Sequence, residues 1–225
     1  MPAKYYQDKL YPFQDMVLQW VESSGVDFYL TGGTALSRCY LNHRYSDDLD
    51  FFINDNSEFK NQCDIVVSKI KKTDLNIELG VASESFLRIF LSEEDTRLKL
   101  DFVNDVEFRY GDIVQFPIFY RIDNWRNILS NKVCALSRLE TKDIVDILYL
   151  AQKYQFSWEE IIVEARKKDM WVSPIESAKI IDEFPIDQLE TIKWIEPVEF
   201  ENLRNKLAIL HDEIFYGKTN SLYKF

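Results

Sequence analysis

A pair of glycines and, shortly after them, a pair of aspartates constrain this chain most. The stretch Asp27-Phe28-Tyr29-Leu30 reads as a short buried strand that runs into Gly32-Gly33, and from Thr34 the pattern turns helical through Ala35, Leu36, Cys39 and Tyr40. A polar loop from Asn42 to Asp47 leads to a second strand, Leu49 to Ile53. Asp48-Leu49-Asp50 opens that strand with a period of two, so both carboxylates point to one side and Leu49 to the other. Strand, glycine turn, helix and acidic strand in this order belong to an α/β layer rather than to a helical bundle.

The rest of the first half fits that layer. Pro12 to Ser23 carries Phe13, Met16, Val17 and Trp20 at helical spacing, with Pro12 in the first turn and Gly25 as C-cap. Asn54 to Ser57 is a turn with an N-cap signal for a helix from Glu58 to Lys72, whose Phe59, Ile65, Val66 and Ile70 face the core. Three strand candidates follow, Asn76 to Ala82, Ser85 to Leu91 and Arg97 to Val103, the last two joined as a hairpin by the acidic turn Ser92 to Thr96. After Tyr120 the texture changes. Trp125 to Leu139, Lys142 to Lys153, Trp158 to Lys167 and Glu199 to Ile214 are helical by period, while Pro174, Pro185 and Pro197 break the stretch between the last two. The expected fold class is α/β (α+β): a mixed sheet flanked by helices over residues 1–120, then an all-helical half over 121–225.

Composition narrows the setting. With 46% hydrophobic residues the chain can fill a core, and no apolar run approaches the roughly 20 residues that span a bilayer. The charged start, Met1 to Leu10, is not a signal peptide, and three scattered cysteines make no disulfide framework, so a reduced, cytoplasmic protein is expected. Two histidines and no zinc spacing exclude a zinc site. A net charge of −11 argues against broad coating of DNA but leaves room for a local basic groove.

Two carboxylates held close repel each other, and a bound cation relieves that repulsion. Mg²⁺ suits the place, because it takes oxygen ligands and keeps room for substrate phosphates. A bare Asp-x-Asp is common and describes two surface acids more readily than a site; its setting carries the argument. Gly32 and Gly33 either let a phosphate approach a helix N-terminus or make only a tight turn. Asp101, at the end of the strand candidate Lys99-Leu100-Asp101-Phe102-Val103, is placed for a third metal ligand or is an edge acid. Arg44 and Ser46 suit phosphate contacts, whereas His43 suits a packed or surface histidine better than a ligand. Lys132 borders the stripe Ile128, Leu129, Val133 and Leu136, so it snorkels or reaches an anion. Asp143 and Asp146 share a helical face, and Asp146, inside the apolar run Ile144 to Leu150, needs a partner such as Lys132 or Arg138. That pair is structural or functional with equal weight.

The glycine turn, the Asp-x-Asp strand and the separate strand acid together resemble the nucleotidyltransferase fold of the DNA polymerase β superfamily. The longer string Leu30-Thr31-Gly32-Gly33-Thr34-Ala35-Leu36, then His43-Arg44-x-Ser46-x-Asp48-Leu49-Asp50-Phe51, resembles the AbiEii toxin family more narrowly. That family carries a lysine and then an Arg/Lys-Asp-x-x-Asp helix after its α/β half, matched here by Lys132 and Lys142-Asp143-Ile144-Val145-Asp146. The likeness covers Phe28 to Leu150; from Ser157 on it lies only in being helical. Asp47 departs from the pattern by adding a third acid beside the pair.

The resemblance implies a metal-dependent enzyme that moves an NMP from an NTP to an acceptor hydroxyl. It implies a toxin of a toxin–antitoxin or phage-defence system, acting on tRNA or another RNA, with a cognate antitoxin as partner. Mg²⁺, or Mn²⁺ in its place, is then expected on Asp48, Asp50 and Asp101. Gly32, Gly33, Thr34, Arg44, Ser46, Lys132 and Asp146 are expected around the nucleotide, with Lys132 neutralising the leaving pyrophosphate. Two other functions fit the same residues. A small-molecule nucleotidyltransferase of the aminoglycoside type shares the turn and the acids, and its cationic acceptor suits the acidic C-terminal half. A non-catalytic nucleotide-binding module keeps the scaffold without turnover. Transfer to protein hydroxyls and a plain α/β domain with coincidental acids complete the range.

Overall fold

The computed structural model describes residues 2–223; Met1 at the start of the first expected domain, and Lys224 and Phe225 at the end of the second, lie outside them. The chain divides into two compact units, residues 1–35 with 45–124, and residues 36–44 with 125–225. The helical unit therefore takes in a short segment from within the N-terminal half.

The first unit is built on one seven-stranded mixed sheet, in the order β3-β4-β5-β2-β1-β7-β6. The strands are β1 (Tyr29–Thr31), β2 (Leu49–Asn54), β3 (Asn76–Ala82), β4 (Phe86–Glu93), β5 (Thr96–Asp105), β6 (Val114–Phe116) and β7 (Phe119–Ile122). β4 and β5 form the expected hairpin, and β2 lies between β5, parallel to it, and β1, antiparallel. The register places Leu30, Phe51, Phe102 and Leu87 in one row, so alternate residues make one apolar face. Leu30, Leu49, Phe51, Ile89, Leu98, Leu100 and Phe102 are fully buried on it, with Phe51 stacked on Phe102 at 5.2 Å.

Helices α2 (Tyr11–Glu22) and α4 (Phe59–Ile70) pack against each other and bury Phe13, Val17, Leu18 and Val21, and Phe59, Cys63, Val66 and Ile70. Ile65, expected inward, points to solvent because the buried stripe follows Phe59, Cys63, Val66 and Ile70, one turn apart. Pro12 lies in the first turn of α2, as expected. The helical path begins at α1 (Pro2–Tyr5) and continues through a π stretch, Tyr6–Leu10, into α2. Proline lacks the N–H for an ordinary i−4 bond, and the wider turn ahead of it accommodates that loss. β6 and β7 are short and alternate poorly, and no sequence period marks them.

After α3 (Gly32–Ala35), which belongs to the first unit, the second is helical: α5 (Trp125–Ala135), α6 (Thr141–Lys153), α7 (Trp158–Lys168), α8 (Pro174–Asp182) and α9 (Phe200–Phe215). Pro174 starts α8 rather than breaking a helix, since an N1 proline gives up an N–H that has no partner there anyway. Apolar stripes from these helices, among them Ile128, Leu129, Val133, Ile144, Ile147, Leu148, Trp158, Ile161, Leu207 and Leu210, form the core. Among the described residues no helix is long and apolar enough to cross a membrane.

Candidate active site

The polar face of the sheet in the first unit carries the acids. In register, Arg88 on β4, Asp101 on β5, Asp50 on β2 and Thr31 on β1 lie side by side across four strands. Strand periodicity puts Lys99 and Asp48, two residues upstream of Asp101 and Asp50, on the same face. Leu49 is buried on the other, so both aspartates point one way. Arg88 grips Asp101 with two parallel hydrogen bonds of 2.7 Å. The Lys99 ammonium lies 2.6 Å from Asp48 and 3.8 Å from Asp101. Burial pulls the Lys99 pKa down, but Asp48, Asp101 and Asp50 outweigh it and hold the group above its usual range. The hydrogen bond to Asp101 is the main reason that Arg88 binds its proton more tightly than usual.

The glycine turn abuts this row. Gly32 has φ +69°, a left-handed conformation that L side chains rarely adopt, and a Cβ there would overlap the Asp50 carboxylate. Gly33 and Thr34 are buried within α3. The Thr34 hydroxyl meets the Ser46 hydroxyl at 2.9 Å and the Asp48 carbonyl, so these two side chains tie the turn to the start of β2. Gln14 Nε2 donates to the Ser46 carbonyl at 3.1 Å. Asp47, the extra acid, accepts a hydrogen bond from Tyr6, whose ring stacks on Tyr45 at 4.1 Å. Asp123 is fully buried, accepting from Thr31 at 2.8 Å and from Arg109 at 3.1 Å.

In donor chemistry the three aspartates fit a hard divalent cation: all are carboxylates, on one face of two adjacent parallel strands. They do not form a closed cage. Among the described residues no group of three or more His, Cys, Asp or Glu is gathered to hold a metal ion, and Lys99 and Arg88 supply the opposing charge.

The helical unit holds a second charged cluster, centred on Asp146, which has no exposed surface. Arg44 binds it with Nε and Nη2, each at 2.8 Å. His43 Nε2 lies 2.8 Å from the same carboxylate, and Lys132 Nζ reaches Asp146 at 2.8 Å and Asp143 at 2.5 Å. Burial alone would raise the Asp146 pKa; Arg44, Lys132 and His43 outweigh it and hold the carboxyl well below the usual range. Burial likewise works against Lys132, and Asp146 and Asp143 overcome it, so that it keeps its proton. His43 titrates below its ordinary value because burial dominates, so it is neutral and its Nε2–H donates to Asp146. Residues 43–44 are fixed by an isolated β-bridge between Arg44 and Trp194 and by Ile195 N–H donating to the His43 carbonyl.

Asp48, Asp50, Asp101 and the glycine turn thus come together in the first unit, as do Arg44, Lys132, Asp143 and Asp146 in the second. The charge of Asp146 is met by Lys132, as expected, and also by Arg44 and His43, which sequence spacing does not connect to it. Lys99 and Arg88 lie outside the motif residues. Lys99 was legible in principle, two residues before Asp101 on one strand, whereas Arg88 becomes a neighbour only through the hairpin register.

The model of the family described as "Nucleotidyl transferase AbiEii toxin, Type IV TA system" matches residues 20–208. The chain belongs to the AbiEii nucleotidyltransferase toxin family. No curated protein matches it. Two crystal structures share its fold: a candidate nucleotidyltransferase from H. pylori, at 22% identity and a TM-score of 0.60 over 90% of this chain and 93% of that one, and JHP933 from Helicobacter pylori, at 22% identity and 0.61 over 90% of each. For this AbiEii family member, the match extends well past the strands to most of the helical unit, where spacing alone had shown only helices.

Proposed function

We propose that the chain transfers a nucleotidyl group from an NTP to a hydroxyl of tRNA or another RNA, as a toxin paired with a cognate antitoxin in the cytoplasm. One observation carries this reading: Asp50 and Asp101 are direct neighbours in parallel register, with Asp48 on the same face and Gly32 bare against Asp50. Asp48, Asp50 and Asp101 would hold Mg²⁺, or Mn²⁺, which when bound offsets charge on the triphosphate and the reacting oxygens. Gly32, Gly33 and Thr34 bring backbone close to the phosphates, with Ser46 bracing Thr34. The acceptor oxygen bonds to the α-phosphorus, the bond from that phosphorus to the α–β bridging oxygen breaks, and pyrophosphate leaves. Asp101 takes the acceptor proton on a carboxylate oxygen. Within the helical unit, Asp146 keeps Arg44 and Lys132 charged and oriented.

The test is transfer of label from each NTP, carried on both the base and the α-phosphate, to total tRNA, protein and small cationic acceptors. Label is expected on RNA, with release of pyrophosphate. Asp50→Asn should cut the rate by a factor on the order of a thousand or more, the scale of losing a transition-state charge stabiliser. Undiminished transfer in that variant would refute the site; label on an aminoglycoside alone would replace RNA as acceptor.

A further inference from the structure

Three carboxylates on one sheet face need compensating charge, and the chain provides it from within. Lys99 Nζ sits between Asp48 (2.6 Å) and Asp101 (3.8 Å), and Arg88 closes on both oxygens of Asp101. Both cations also feel Asp50. They lie on the same face as the acids, Arg88 directly opposite Asp101 in register and Lys99 two residues before it. Neither is deeply enclosed: their side chains are 34% and 25% exposed, so they can turn away without leaving a buried charge unpaired. Other charges on this face are directed elsewhere, for Arg97 pairs with Glu78 at 2.9 Å and lies over the Phe90 ring.

Resting on the metal-site reading above, we propose that Lys99 and Arg88 are exchangeable counter-ions. They occupy the carboxylates while the site is empty, compete with the divalent cation for them, and transfer to the polyphosphate when the cation and nucleotide bind. One divalent ion carries the charge of the two cations it displaces, so the acids stay compensated throughout. The freed Lys99 and Arg88 then meet the charge that arrives with the nucleotide. A lysine that merely braced the acids would act in the opposite sense, since its loss would disorder the ligands and weaken metal binding.

Calorimetric titration separates the two roles. Mn²⁺ is added to the full chain without nucleotide, for wild type, Lys99→Met, Lys99→Arg, Arg97→Gln and Asp50→Asn, with circular dichroism to confirm folding. Lys99→Met should bind Mn²⁺ up to about fivefold tighter, the effect of removing one partly exposed ion pair. Lys99→Arg should stay near wild type, and Arg97→Gln, which removes a cation from the same face without touching the acids, should change within about twofold. At saturating Mn²⁺, Lys99→Met should bind a non-hydrolysable NTP analogue about tenfold more weakly. Unchanged or weaker Mn²⁺ binding in Lys99→Met, or unchanged analogue binding, overturns the exchange. If wild type binds Mn²⁺ and Asp50→Asn does not, the metal site stands whatever Lys99 does; if no variant binds Mn²⁺, both readings fall.

Discussion

At the scale of the residue, Asp146 shows how the helical unit tolerates a buried charge. A lone carboxylate there would be costly, but it accepts from Arg44, Lys132 and His43 together, and Lys132 also engages Asp143. Removing Asp146 leaves two buried cations facing each other. Asp146→Ala should therefore cost about 3–5 kcal/mol of stability, measured by urea unfolding. The pH dependence follows from the signs. The depressed Asp146 pKa gives stability that is present above the unfolded value near 4 and lost as pH falls below it. The raised Lys132 pKa gives stability present below about 10.5 and lost above it. His43, also depressed, binds its proton more readily when unfolded, so stability declines as pH falls below about 6.5. Between pH 7 and 5 the urea midpoint should fall for wild type and stay flatter for His43→Gln; equal slopes would remove His43 from that account.

At the scale of the element, the turn into α3 is governed by Gly32. Its positive φ and the closeness of Asp50 ask for the same residue for two reasons, backbone conformation and space. Gly32→Ala is expected to cost about 1–2 kcal/mol in backbone strain and to push the Asp50 carboxylate out of its row. Thermal unfolding reads the first effect and Mn²⁺ titration the second; a variant with wild-type metal affinity would show that Asp50 has room to move. The strand beside it works by periodicity alone. β2 alternates buried and half-buried residues, which sends Leu49, Phe51 and Ile53 into the core and Asp50 to the polar face.

At the scale of the whole molecule, each unit carries a thiol that reports on it, Cys63 buried and Cys39 half-buried. Cys63 lies in α4 of the first unit and Cys39 in the segment that joins the second, and burial pushes both pKa values up to about 12. Thiolate is the reactive form, so both should resist iodoacetamide at pH 8 in the native protein and react as their own unit unfolds. Mass spectrometry along a urea series will show whether the two become labelled together; rapid native labelling of either would contradict its burial. Much of this organisation was legible in local pattern. Period two placed Asp48, Asp50 and Leu49, and helical period placed the stripes of α5 and α6. Ile65 and Pro174 depart from the local pattern because each depends on which way a helix faces or where it begins, which neighbours decide.

The sequence by itself determined the strand–glycine turn–helix order, the faces of the acidic strand, and the motif spacing that marks the AbiEii family. These are properties of residues a few positions apart, where the chain's own geometry dictates direction. Only the tertiary structure decided that Asp50 meets Asp101, that Arg88 and Lys99 compensate the acids, and that His43 and Arg44 share Asp146 with Lys132. Those contacts join residues far apart in the chain, and their register follows from packing the whole sheet or bundle, which no local period encodes.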